Sequence, residues 1–145
     1  MKLEPATICT IGYERRSLSE FLQILQQAPV DKLLDTRHRA GSRKKGFAKT
    51  ALSEALQRIG VSYEHRREFG TPPHLMEVMR QEGTYSLTSY EEFFEAQEDL
   101  LTNLVHAVAE ARTVLLCYEL DPEVCHRSVL ARRAAKEAGF NVLHL

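Results

Sequence analysis

Hydrophobic and polar positions change period several times along the chain, and each change marks an element. "TICTIGY" is a short, β-branched apolar run that reaches Gly12, the pattern of a strand. Behind it, Ser17 and Glu20 form a capping-box signature, and Leu18, Phe21, Leu22 and Leu25 recur at helical spacing until Pro29 closes the helix. "VDKLLDTR" predicts a second strand, residues 50–59 a helix ended by Gly60, and "VSYEH" a third strand. A polar stretch with Gly70, Pro72 and Pro73 leads into a short helix near residues 74–81. Ser89 and Glu92 repeat the capping-box signature. Tyr90, Phe93, Phe94, Leu100, Leu101, Leu104 and Val108 then keep helical spacing, so a long core helix is expected from Ser89 onward. "TVLLCYE" is apolar enough for a strand buried on both faces. Asp121 as N-cap and Pro122 at the first helical position predict a helix reaching Gly139, and "FNVLHL" supplies the last strand.

Alternating strands and helices predict an α/β fold with a mainly parallel sheet of about five strands, helices on both faces and right-handed crossovers. Strand order is not encoded in the pattern. At 145 residues the chain suits a single three-layer domain over residues 1–145. Its 43% hydrophobic and 27% charged content argues against extensive disorder. The start, "MKLEPATICTIGYE", sets an acid and a proline where a secretion signal needs an unbroken apolar run, and no stretch is long enough to span a membrane. Three cysteines leave at least one unpaired, so reduced thiols and a cytoplasmic location are expected.

Charge changes the picture more than composition does. The net charge of −1 hides Arg37, Arg39, Arg43, Lys44, Lys45 and Lys49 in one acid-free stretch, against the acid-rich "SYEEFFEAQED" further on. A near-neutral chain of this kind can carry a cationic face.

In open α/β sheets ligands bind beyond the carboxyl ends of the strands. The first four strands here end in polar or cationic residues: Gly12 and Tyr13; Asp35, Arg37 and Arg39; His65; then Cys117, Glu119, Cys125, His126 and Arg127. Gathered on one edge, the cations repel one another unless carboxylates or an anion offset them. Asp35 and Glu119 are placed to do the first. A phosphate or other oxyanion would do the second, held by arginine forks and the helix start near Pro122.

Cys125, at a helix start and two residues before Arg127, is placed for a lowered pKa and a nucleophilic role. His126 then supplies a proton, Glu119 or Asp35 acts as acid or base, and Arg127 holds an anionic group. The competing reading is a metal site of Cys117, Glu119, Cys125 and His126. It ranks lower, since adjacent residues on a helix point in different directions. Cys117 and Cys9, inside strands, read as small hydrophobes. No cofactor is expected.

"TIGYE", "LLDTR" with Arg39 and Ser42, "GVSYEH", "LLCYE" with "CHR", and the terminal "NVLHL" together resemble the family catalogued as domain of unknown function 488. The resemblance runs from about residue 7 to residue 145. It implies a compact α/β domain whose motif residues share one site: Gly12, Tyr13, Asp35, Arg37, Ser42, Tyr63, His65, Cys117, Glu119, Cys125, His126 and Arg127. "RHRAGSRKKGF" lacks the proline the family tends to place before the serine, and "EFGTP" replaces its "LGG" turn. The resemblance implies no reaction. Three classes of function remain open: an enzyme on an anionic, phosphate-bearing or nucleotide-like substrate; a nucleic-acid binding module using residues 37–49; and a metal-binding or structural protein. No membrane partner is expected.

Overall fold

The computed structural model describes residues 6–82 and 87–145. Residues 1–5, on which part of the expectation about a secretion signal rests, lie outside them. In chain order the elements are β1 (Thr7–Gly12), α1 (Leu18–Gln27), β2 (Lys32–Asp35), α2 (Lys49–Arg58), β3 (Ser62–His65), α3 (Pro73–Gln81), α4 (Thr88–Ala96), α5 (Leu100–Ala109), β4 (Thr113–Cys117), α6 (His126–Ala138) and β5 (Asn141–His144). The five strands form one parallel sheet in the order β3-β2-β4-β1-β5, so the expected α/β architecture holds.

Alternation along the strands divides the core in two. Ile11, Leu33, Val114 and Leu116 pack on one face with Phe21 and Leu25 of α1 and Leu52 and Leu56 of α2. Ile8, Leu34 and Leu115 face the other way, against α3 to α6. One residue of shift along a strand changes the face, which is why β2 and β4 are apolar at consecutive positions. β1 leaves toward β2 through α1 on one face, and β4 leaves toward β5 through α6 on the other. These two strands are neighbours, so their diverging exits open a crevice at their carboxyl ends.

Local signals explain most boundaries. Ser17 Oγ accepts from Glu20 N at 3.1 Å while Ser17 N donates to the Glu20 carboxylate at 3.3 Å, the reciprocal box that fixes the start of α1. Gly139 follows α6 at φ +76°, a left-handed cap that a side chain would strain.

Three expectations need correction. The long helix after Ser89 is two helices, α4 and α5, because Gln97 turns to extended backbone and Asp99, a weak helix former, stands at the N-cap position of the second without a side-chain cap bond. The Ser89 and Glu92 box does not form; α4 begins at Thr88, and Ser89 Oγ instead donates to Glu82 at 2.9 Å. Asp121 does cap, but it caps a 3-10 turn, Pro122–Val124, by accepting from Glu123 N at 2.9 Å. Cys125 is extended (φ −119°, ψ 137°) and α6 starts only at His126.

Candidate functional site

Register brings the candidate residues together. Gly12 lies opposite Cys117, and Asp35 lies opposite both Leu116 and His65, so the ends of four strands form one row. β1 comes so near the turn after β4 that a Cβ on Gly12 would stand 1.9 Å from the Glu119 carbonyl oxygen. Gly12, expected to bind ligand, therefore serves close backbone approach.

Asp35 is fully buried and clasps Arg37 at 2.9 Å (Nε) and 2.7 Å (Nη2), while Tyr63 donates its hydroxyl to the same carboxylate at 2.5 Å. Arg37 Nη1 donates to the Phe47 carbonyl at 2.7 Å and to the Tyr13 hydroxyl at 3.3 Å. His65 Nε2 sits 2.7 Å from the Arg37 carbonyl. Burial opposes the Arg37 charge, yet the Asp35 carboxylate holds its pKa above the ordinary arginine value. Burial first, then the bond to Asp35, raises the Tyr63 phenol. Arg37, expected to hold an anion, lines a cavity together with Glu119 but has each guanidinium nitrogen engaged inside the protein, with its partner Asp35 two residues back at the end of β2. Asp35, expected as a catalytic acid or base, is its counter-ion.

The second cluster is built from the end of β4 and the start of α6. Ligand atoms of Cys117, Cys125 and His126 all lie within 4.8 Å of one another. Cys117 Sγ is 3.5 Å from His126 Nδ1 and 3.5 Å from Glu119 Oε2. On the far side of its ring, His126 Nε2 meets the Thr36 carbonyl at 2.9 Å, so Nε2 carries the hydrogen and Nδ1 faces the sulfurs. The view that Cys125 and His126 must diverge is corrected here, since Cys125 precedes the helix and its extended backbone turns the sulfur back toward Cys117. Cys117 is likewise no mere packing residue.

Electrostatics couples these groups. A hydrogen bond to Cys125 and burial raise the Cys117 thiol well above its usual value. Burial also works against a Cys125 thiolate, but the Cys117 thiol, the His126 ring and the Arg127 charge outweigh it and pull that pKa well down. Burial lowers His126, and its bond to Cys125 more than restores it, leaving it raised. Glu119 is pushed up to about 7, by burial first and by the Cys125 charge second.

Cys117, Glu119 and His126 line a cavity of about 480 Å³ whose walls also include His38, Arg39 and Arg80. Cys125, the expected nucleophile, is 1% exposed and is not among the cavity's lining residues, whereas Cys117 is. Arg127 is wholly buried and donates to the carbonyls of Glu119 (2.5 Å) and Leu120 (3.2 Å). It fastens the 119–120 turn to α6 and does not reach the cavity as an anion-binding arginine would.

The family model titled "Domain of unknown function DUF488" matches residues 17–134. The chain belongs to that family. The match takes in Asp35, Arg37, Tyr63, Cys117, Glu119, Cys125, His126 and Arg127, and leaves β1 with Gly12 and Tyr13, and β5, outside it. No curated protein and no solved structure matches the chain.

Within this DUF488 chain the remaining expected residues sit as follows. Tyr13 is buried and stacks on Phe47 with ring centroids 4.6 Å apart. Arg39 is exposed at the cavity rim. Ser42 Oγ accepts from Lys44 N at 3.1 Å and shapes the basic loop, while Lys44 Nζ donates to the Tyr13 carbonyl at 3.0 Å. Sequence reasoning missed Thr36, His38, Thr71, Met76 and Arg80. Thr36 lies inside the "LLDTR" motif, and Met76 and Arg80 stand four apart on α3, a spacing that marks a shared face once that helix is known to flank the strand ends.

Proposed function

We propose that this protein is an enzyme that binds a small anionic molecule, phosphate-bearing or otherwise, and acts on it at the floor of the 480 Å³ cavity. The observation that carries the reading is the composition of that cavity, with Glu119, Cys117 and His126 below and His38, Arg39 and Arg80 at its rim. Its size falls in the range of small-molecule sites, about 300–1,000 Å³. Arg39 and Arg80 attract and orient the anion, and the Glu119 carboxyl is the proton-transfer group beside it. Among the described residues Arg39 has no ion-pair partner, whereas Arg37 and Arg127 are committed internally. Recognition therefore rests on Arg39 of the motif together with Arg80, while Arg37, which also lines the cavity, keeps its donors on Asp35 and Phe47.

A second reading has one observation in its favour. A shallower basin of about 660 Å³ continues from the cavity through His38 and Arg39 and is lined by Lys49, His65 and Arg67, with no acidic residue among its walls. Its charge would suit a ligand long enough to carry further phosphates, including a nucleic-acid strand. Calorimetric titration with inorganic phosphate, a nucleoside monophosphate and a short single strand separates the two. The enzyme reading expects saturable binding of a small anion that weakens at least tenfold in Arg39→Gln/Arg80→Gln. Binding of the strand alone, with affinity falling steeply as salt rises, would favour the nucleic-acid reading. Unaltered small-anion affinity in the double variant overturns the assignment of the rim.

A further inference from the structure

We propose that Cys117, Cys125 and His126 bind one soft divalent cation of the zinc class, with the fourth coordination position turned to the cavity beside Glu119. The argument begins with distances. Sulfur at about 2.3 Å and nitrogen at about 2.0 Å from a tetrahedral zinc ion stand about 3.5 Å apart along the edge of the tetrahedron. Cys117 Sγ and His126 Nδ1 are 3.5 Å apart. The Cys125 sulfur completes the triangle within 4.8 Å of both.

The surroundings match what a metal-binding imidazole needs. Ligating histidines donate their second ring N–H to a carbonyl or carboxylate, which fixes the tautomer and turns the lone pair to the metal. His126 Nε2 is held on the Thr36 carbonyl at 2.9 Å, and Thr36 is held in turn by donating Oγ1 to the Leu116 carbonyl at 2.7 Å. Nδ1 is thereby aimed at the two sulfurs by a strand that takes no direct part in the cluster.

Charge points the same way. Arg127 is a fully buried cation without a carboxylate partner among the described residues. Two thiolates, the Glu119 carboxylate, a divalent ion and Arg127 sum to neutrality, which a buried cluster favours. Binding leaves both sulfurs as thiolates and the imidazole as the neutral ring, and whatever protons these three groups held are released to solvent. Thiolates with an imidazole select zinc over the hard cations magnesium and calcium. Cys117 and His126 line the cavity and Cys125 does not, so the vacant corner faces the space where ligand enters. That placement in catalysis rests on the reading above; binding of the metal does not.

The test uses the full chain. Protein purified without chelator and dialysed is assayed for metal by elemental analysis, then stripped and refilled with cobalt(II). About one equivalent of zinc per chain is expected, and cobalt should give a thiolate-to-metal charge-transfer band. Cys125→Ala and His126→Ala should each lose at least 90% of the metal, and Glu119→Gln should keep it. Because the first two variants also remove buried side chains from the core, wild-type protein is treated with a chelator while thiol reactivity is followed. Slow-reacting Cys117 and Cys125 should become more reactive at least tenfold as metal leaves. Metal below about 0.2 equivalents after zinc is supplied, or thiol reactivity indifferent to chelator, overturns the site. Arg39→Gln/Arg80→Gln should bind metal normally; normal metal loading without affinity for anions would remove the proposed function and leave this site standing.

Discussion

Two buried polar clusters share the carboxyl edge of the sheet, and they are completed differently. Around Asp35 the protein supplies every partner itself: Arg37 and Tyr63 saturate the carboxylate, and backbone carbonyls take the other guanidinium donors. Around Cys117 it does not. Two sulfurs, an imidazole and a carboxyl converge, with Cys117 held by contacts of 3.5 Å to His126 and Glu119, next to a buried guanidinium whose hydrogen bonds go to carbonyls. A self-satisfied network specifies structure, while a cluster with surplus acceptors is arranged for something that arrives from outside. On the proposed reading the same motif-bearing edge contains a brace and a site, and charge alone does not tell one from the other.

The sharpest way to break this comparison is to unbalance the brace. Asp35→Asn leaves Arg37 buried without its counter-ion, and loss of one partner of a buried pair costs about 3–5 kcal/mol. Urea unfolding should show that loss in the midpoint with little change in slope; a near-neutral result would mean that the pair is not the brace we describe. Arg127→Met comes next. It strands the Glu119 and Leu120 carbonyls, and because both bonds are only partly buried the low end, about 1 kcal/mol for each, is expected. Its cost should be smaller than that of Asp35→Asn, since it removes a cation rather than abandoning one. A reversed order would make the 119–120 turn, not the Asp35 pair, the main tie at this edge.

Much of this was legible in the sequence, for identifiable reasons. Strand identity followed from apolar runs of β-branched residues, and the end of α6 from Gly139, because these signals are local. The sheet edge as the meeting place of Asp35, Cys117 and His65 followed from the parallel architecture alone. What the sequence did not show was the direction of single side chains. Arg37 and Arg127 read as ligand-binding from charge alone, because a sequence does not show the internal acceptors that take up their donors. Cys125 and His126 read as divergent because Asp121 and Pro122 signalled one continuous helix, and the extended residue between the 3-10 turn and α6 left no mark of its own. Arg80 escaped because α3 joins the site only through tertiary packing.

Tyr63→Phe tests the brace more gently. It deletes the 2.5 Å bond to Asp35 and keeps the ring, and a bond to a charged group is worth about 1.5–3 kcal/mol, with the low end expected for a half-buried phenol. The same residue gives the comparison a pH signature. Its folded pKa is raised, first by burial and then by Asp35, so the native state favours the neutral phenol. That contribution is complete below the unfolded tyrosine value of about 10 and is lost as pH climbs toward the folded one. Stability of the wild type should decline on this alkaline limb, and Tyr63→Phe should decline less. Parallel limbs would show that Tyr63 is not held as described.

The smallest expected effect on stability belongs to the other cluster. Glu119 is half-buried, and its side chain meets Cys117 Sγ at a long 3.5 Å and interacts with Cys125 and with its own backbone. Glutamine keeps its shape and removes a charge that burial disfavours, so Glu119→Gln should alter unfolding free energy by no more than about 0.5 kcal/mol. Turnover of any substrate found for the cavity should nevertheless fall by at least about 100-fold, the usual worth of a positioned proton-transfer group. The two measurements together decide whether the edge is divided as argued: a carboxylate that matters little to folding and much to activity belongs to a site. If Glu119→Gln instead destabilises the fold as Asp35→Asn does, both clusters are braces, and the distinction between them disappears.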